Sequence, residues 1–545
     1  MNYLNRKKYN YGKRMSGRPI RQLRWIGLLL GLMLVFAAVF TIFPPVGFDF
    51  WKILGSFLSA SPMFDPASGY RFGRLVAYLL GTIFFSGVVV ATLTNIIRTA
   101  GERFNNGTAR YKFRNHVLFL GYDELMIGTL RQEMDSNKEN DFVVAVPDDV
   151  AAVRSTLYQH ISTDQCCRLI VIRASRVNVD DLKKVAQTLF AKKIFIIGQP
   201  HEDTHDANNL KCLGLVAALA SGQQTDPIPC MYYLRNQSTF YLVHRMKFEA
   251  ENFKKDILLA HLPYNKANIE KHINAAEPFN FHESIARHLL FGSLRHNEAT
   301  LRLDTAQGNP HLIIYGMTLM GLALMRDVLM TQHFPSHRLR ITMVDSNARE
   351  ELHYLIGRHR PLFDNCHYSF RDFNDPTQDY DHPARLDFLD TDIEFIQCDI
   401  AHPRLSEYLR QSVSPSTPEV SPTVTAIAIC TDNSPQNMAL AIYMPREVFQ
   451  AKIPIWVYQT GCNSMTAFVE NDASNNLYSC IHVFSTLDYG VANRRQSSQW
   501  LLAKAVADNY AGILSDQTPD YHWTLSLPKD RWSSQIGRAS CRERV

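Results

Sequence analysis

The run Gly316-Met317-Thr318-Leu319-Met320-Gly321 has the outline of a phosphate-binding turn. In a dinucleotide fold a G-x-G-x-x-G run supplies a tight turn, a close backbone approach to the pyrophosphate, and helix–strand packing. The pyrophosphate then rests on the N-terminus of the following helix. Here the first and third glycines are kept, while Thr318 stands at the second, where its side chain is expected to crowd the phosphate. Asp345 follows about 24 residues on, close to the ~20 expected of an acid that binds a ribose. Asp399 ends a further apolar run, where it would face the adenosine. Gly316, Thr318, Gly321, Asp345 and Asp399 are therefore the candidate nucleotide-binding residues, for NAD(H) or another adenine nucleotide.

An earlier apolar run also ends in glycine, Gly121, but Asp123 and Met126 take the second and third glycine positions. A carboxylate at a phosphate turn repels the ligand, so this copy reads as a structural or protein-contact unit. The densest group of metal-ligand types is His201-Glu202-Asp203-x-His205-Asp206. Glu202, Asp203 and Asp206 are candidate Ca²⁺ ligands. The plainer reading is a solvated loop whose acids favour the N-terminus of the next helix. No Ser-His-Asp or Cys-His arrangement can be identified from spacing, so the chain reads as a binding protein rather than an enzyme.

The elements that would position these residues alternate between short apolar strands and helices. In the first copy the strands are 115–121, 141–146, 168–172, 193–197 and 229–234, with helices to about Met134, at 180–189 and at 208–220. In the second they are 311–316, 339–345, 393–399, 426–430 and 453–459, with helices at 319–331, 402–411 and 435–444. Such alternation implies βαβ units and a parallel sheet. The repeat is too long for a solenoid and reads as a duplicated domain. Residues 357–391 and 412–423 read as loops.

Upstream, Trp25–Phe43 and Leu75–Ile97 contain no charge. A bilayer core of ~30 Å needs about 20 apolar helical residues, and both segments qualify. Eight basic residues and no acid precede Trp25. Lys and Arg stay on the cytoplasmic side, so the N-terminus and the bulk of the chain are expected in the cytoplasm of a multi-pass membrane protein. The stretch between the helices holds an apolar segment, 50–58, and then Ser59-Ala60-Ser61-Pro62-Met63-Phe64-Asp65. That layout is pore-like, with an extracellular loop as the alternative. No TVGYG-type run is present, so a carbonyl filter for potassium is not supported.

The chain of 545 residues carries a net charge of only +5, much of its basic excess lies in the tail, and this argues against a nucleic-acid partner. Its ten cysteines include no C-x-x-C pair, so neither a zinc knuckle nor a disulfide framework is indicated. The last ten residues, IGRASCRERV, match a translated sequencing adapter and are set aside. The natural chain is then expected to continue past Gln535.

Two membrane helices, a pore-like loop and tandem Rossmann-like domains resemble ion channels with RCK (TrkA-N) domains, in particular the CASTOR/POLLUX-type channels of plant nuclear envelopes and their bacterial relatives. The residues that carry the resemblance are Asn115–Gly121, Asp181–Val185 and Asp206–Ala220 in the first copy. In the second they are Gln397-Cys398-Asp399 with Leu405, and Thr431-Asp432-Asn433 with Asn437. The resemblance implies a homotetramer in a membrane, expected to be a bacterial inner membrane, surrounded by lipid. It would pass monovalent or divalent cations when ligands reshape a cytosolic ring. It further implies a filter region at Ser59, Ser61 and Asp65 and hinges at Gly81 or Gly87 in the inner helix. The alternative is a non-conducting, membrane-tethered nucleotide sensor.

The expected fold is thus a two-helix transmembrane hairpin with a pore-like loop, followed by tandem α/β Rossmann-like domains. The expected domains are a basic tail (1–24), the hairpin (25–98), a linker (99–114), a first RCK-like domain (115–300) and a second (309–495). Residues 496–535, which faintly resemble the start of a ryanodine-receptor-type repeat, and the adapter (536–545) complete the chain.

Overall fold

Runs such as Val117–Leu120 and Leu312–Tyr315 are apolar at every position, so they suit strands covered on both faces. In a computed structural model, which describes residues 90–486 and Gly490, they become the central strands of two sheets. Within that range, residues 223–225, 246–248, 263–264, 292–299, 304–307, 333, 335–336, 385–390, 401, 414–422, 461–477 and 487–489 are not described. The hairpin up to residue 89, with Ser59, Ser61, Asp65, Gly81 and Gly87, lies outside the described residues, as does everything from 491 onward. Among the described residues no helix is long and apolar enough to cross a membrane.

The first described helix, α1 (Val90–Asn105), carries the end of the second apolar segment into the α/β region. The stretch expected as a linker is therefore largely ordered. Buried Arg154 donates to the Phe104 carbonyl at 2.7 Å and lies over the Phe104 ring, and Arg173 N donates to Gly107 O at 2.9 Å. These contacts fasten the end of α1 to the first sheet.

That sheet contains β1 (His116–Gly121), β2 (Phe142–Val146), β3 (Leu169–Arg173), β4 (Ala191–Gly198), β5 (Cys230–Tyr233) and β6 (Glu277–Phe279). Its order is β3-β2-β1-β4-β5-β6 and every pair is parallel, the doubly wound order of a dinucleotide-binding fold. Around it stand α2 (Ile127–Ser136), α3 (Val150–His160), α4 (His205–Ser221), α5 (Gln237–Arg245) and α6 (Lys266–Ala275). Helix α7 (Phe281–Phe291) follows β6 and crosses to the second sheet, where Ile285, Ala286, Leu289 and Leu290 enter the core.

The second sheet contains β7 (Pro310–Tyr315), β8 (Leu339–Asp345), β9 (His367–Asp372), β10 (Tyr380–His382), β11 (Thr391–Gln397), β12 (Thr423–Ile429), β13 (Ile455–Gln459) and β14 (Ile481–Ser485). Its helices are α8 (Leu319–Thr331), α9 (Ala348–Phe363), α10 (Pro403–Val413) and α11 (Ser434–Ile442). Strands β11-β8-β7-β12-β13-β14 repeat the first sheet's order, and β9 and β10 extend the β11 edge.

Several expectations change. The helix expected at 180–189 is a π-helical turn, Asp181–Val185, followed by a 3-10 turn, Thr188–Phe190. Gln187 breaks it at φ 52°, because its amide is bound to Tyr111 O (2.6 Å) and Phe113 N (2.9 Å). The loop expected at 357–391 contains the end of α9 and the hairpin β9–β10. The alternation of Tyr368, Phe370 and Asp372 toward the interior is hidden in the sequence by the polar residues between them. Strands β6, β10 and β14 had no clear signal, since each is short or rich in polar residues.

Candidate functional site

In an open α/β sheet ligands bind outside the carboxyl ends of the strands, where the strand order reverses. In the second sheet that point lies between β7 and β12. Gly316 ends β7 at φ 94°, and a Cβ there would meet Cys430 O at 2.9 Å, so the chain turns against the end of β12. A Cβ on Gly321 would lie 2.0 Å from Gly316 O. Only glycine lets the first turn of α8 pack this close to the strand.

Thr318 caps α8. Its hydroxyl accepts from Gly321 N at 3.3 Å and donates to Cys430 O at 2.5 Å. The residue expected to crowd a phosphate therefore turns its hydroxyl onto the protein, tying the turn to β12. Asp345, at the end of β8, accepts from Met317 N (2.8 Å) and from Asn347 N (2.9 Å). An ionised carboxylate has about four acceptor positions, so two remain for ligand hydroxyls.

Thr318, Asp345 and Asp399 line one open cleft of about 670 Å³ with Thr431, Asp432 and Asn433. A ligand pocket spans roughly 300–1,000 Å³. Gly316 and Gly321 flank Thr318 in the turn and do not themselves line the cleft. Ser434, Gln436 and Thr460 complete the rim and were not singled out by type or spacing. Their only sequence signal is position, directly after β12 and β13. Burial, with the nearby Asp345 charge, pushes the Asp432 carboxyl up. Among the cleft-lining residues there is no thiol, imidazole or amine. The cleft's carboxylates, hydroxyls and amides offer hydrogen-bond donors and acceptors to a polar ligand.

Asn437, fully buried in α11, fixes the rim. Its Nδ2 donates to Thr431 O and to Tyr458 O, both at 2.9 Å, and its Oδ1 accepts from the Thr431 hydroxyl. The amide thereby joins the ends of β12 and β13.

The first sheet treats the same positions differently. Gly121 (φ 107°) meets Gly198 so closely that a Cβ would lie 2.2 Å from Gly198 O. Asp123 is buried, caps a 3-10 turn by accepting from Leu125 N at 2.9 Å, and is pushed up in pKa by that burial. Arg176, from the loop after β3, pairs with Glu202, from the loop after β4, and donates to Asn209 Oδ1 at 2.8 Å.

Two of the three Ca²⁺ candidates are engaged within the protein. Glu202 is engaged by Arg176 and Asn208, whereas Asp206 accepts from His205, Arg235 N and Asn236 N. Asp203 is exposed and joins neither group. Among the described residues no group of three or more potential ligands converges. Glu202 and Asp206 brace the start of α4.

No family model and no curated protein matches the chain. Solved structures of the GsuK channel align with it. One, the GsuK channel, is 14% identical over 87% of this chain and 96% of its own, with a TM-score of 0.44. Another, the GsuK channel bound to NAD, is 12% identical over 90% and 84%, with a TM-score of 0.44. A third, GsuK bound to ADP, is 14% identical over 87% and 96%, with a TM-score of 0.42. At these values the fold assignment rests on strand order. Both halves are doubly wound Rossmann-type sheets.

Proposed function

We propose that the second sheet is a receptor for an adenine nucleotide, NAD(H) or ADP, and that the chain is the regulatory and membrane portion of a ligand-gated cation channel. The cleft at the β7–β12 switch point carries the first part, lined by Thr318 of the turn and by Asp345 and Asp399. The phosphates would lie on the α8 N-terminus and the ribose hydroxyls on Asp345. The binding of the ligand, rather than its conversion, is the function.

The gating part is supported by the way α1 is held. A helix continuous with the second apolar segment ends on the first sheet through Phe104, Arg154 and Gly107. Movement of that sheet would therefore reach the membrane segment without slack. In this reading the chain forms a homotetramer in a bacterial inner membrane, with lipid around the hairpin and a monovalent or divalent cation in the pore.

The experiment uses the full chain in liposomes loaded with a cation-sensitive dye, with NAD or ADP added on the cytosolic face. Nucleotide-dependent flux, lost in Asp345→Ala, supports the reading. Nucleotide binding without flux supports the tethered sensor instead. Absence of binding overturns both.

A further inference from the structure

A second pocket, of about 310 Å³, opens near the amino end of β9, away from the carboxyl ends of the strands where the nucleotide cleft lies. It sits between the last turns of α9 and the hairpin β9–β10 and shares no lining residue with that cleft. Its wall is aromatic. The Tyr368 and His382 rings, paired across the hairpin, stack at 4.6 Å and 12°, and the Phe363 ring meets Tyr368 edge-on at 5.4 Å. Two opposite charges, Arg360 and Asp364, also line it.

Those charges stand at i and i+4, a spacing at which opposite charges on a helix are neighbours. Here they form no ion pair with each other or with any other described residue. Helix α9 bends at His359 (φ −127°, ψ 36°), just before Pro361, which has no N–H to donate to Gly357 O. Tyr368 is 8% exposed, yet its hydroxyl has no hydrogen-bond partner among the described residues. Gly357 leaves the remaining side open, because a Cβ there would have no atom within 4 Å.

Ligand pockets span roughly 300–1,000 Å³, so this one suits a small molecule. A simple anion would be repelled by Asp364 and a simple cation by Arg360. A ligand that carries both charges satisfies both side chains, and an aromatic group on it would match the wall. We propose that this pocket binds a free aromatic amino acid. The ligand carboxylate pairs with the Arg360 guanidinium, the planar fork suited to it. The ammonium pairs with the Asp364 carboxylate, and the ring packs against Phe363 and the Tyr368–His382 stack.

Calorimetry on the full chain in detergent tests this with L-phenylalanine and two analogues: phenethylamine, which lacks the carboxylate, and phenylpropionate, which lacks the ammonium. L-Phenylalanine should bind saturably, and each analogue should bind about tenfold more weakly or worse, the value of a charged hydrogen bond. Arg360→Gln should weaken L-phenylalanine by about tenfold or more and phenethylamine hardly at all. Gly357→Leu should abolish binding by filling the pocket. Its urea midpoint should be unchanged or raised, since a helix-interior glycine is removed. Binding should persist in Asp345→Ala and with saturating ADP, which separates this pocket from the nucleotide cleft. Absence of saturable L-phenylalanine binding overturns the proposal. So does an analogue that binds as tightly, undiminished binding to folded Gly357→Leu, or loss of binding in Asp345→Ala. If Gly357→Leu does not fold, Arg360→Gln decides by the same comparison of ligands.

Discussion

The first sheet and strands β11-β8-β7-β12-β13-β14 of the second have the same order and matched internal fastenings, yet the turns that follow their first strands are built differently. Asn209 of α4 donates to Ile197 O (3.1 Å) and Tyr233 O (2.8 Å), as Asn437 of α11 does to Thr431 O and Tyr458 O. His116 and His311 each stand five residues before the turn glycine and each is buried. The difference lies in the residues just after that glycine. In the second sheet Thr318 and Gly321 cap a helix and leave its rim lined by hydroxyls and carboxylates. In the first, buried Asp123 takes the turn and the Arg176–Glu202 pair braces the loops above it. The two halves share a frame and differ in a few turn residues.

The sharpest way to break this comparison is at the glycines. Gly321→Val places a branched side chain on Gly316 O, and Gly121→Val forces one onto Gly198. Each should cost about 4 kcal/mol or more, read as a fall in the urea midpoint. A change below about 1 kcal/mol would mean that the two turns are looser than described.

Next come the matched asparagines. Asn209→Ala and Asn437→Ala each strip two buried carbonyls of a donor. Each should cost roughly 2–4 kcal/mol by equilibrium denaturation. A large cost on one side alone would show that the fastenings are not equivalent.

Binding should separate the halves. Asp345→Ala should weaken ADP or NAD affinity about 10–100-fold in calorimetry, the value of a charged hydrogen bond or two. Asp123→Ala should leave affinity within about twofold, because it lies at the closed turn. Equal losses from the two changes would place the nucleotide elsewhere.

The smallest effect concerns acid. Burial lowers His116 to about 4, and burial with Arg340 lowers His311 to about 3. A histidine depressed in the folded state contributes stability above its free value of 6.5 that is lost as pH falls toward the folded value. Thermal unfolding should therefore shift downward below about pH 6.5. His116→Gln and His311→Gln should each flatten part of that slope.

Much of the fold was legible from local chemistry. Continuous apolar runs marked ten strands, because a strand covered on both faces has few polar positions. The Gly316–Gly321 spacing could be read because a tight strand-to-helix turn constrains residue type locally. The hairpin β9–β10 was not legible, since an edge strand is half solvated and its polar residues mimic a loop. Nor was the fate of Glu202, Asp203 and Asp206. The bare sequence offered a ligand cluster or a solvated loop, and the partners of Glu202 and Asp206, Arg176 and Arg235, are brought to them only by the sheet.

By itself, the sequence determined the repeated α/β pattern, the parallel character of the strands it marked and the glycine-bounded turn at Gly316–Gly321. These depend on residue period and on glycine at fixed spacing. Tertiary structure alone decided that the Thr318 hydroxyl faces inward, that Glu202 pairs with Arg176, and that Arg287 pairs with Asp327. Each of those outcomes depends on a partner between 26 and 112 residues away in the chain. No local pattern encodes such a distance; only the packing of helices on sheets closes it.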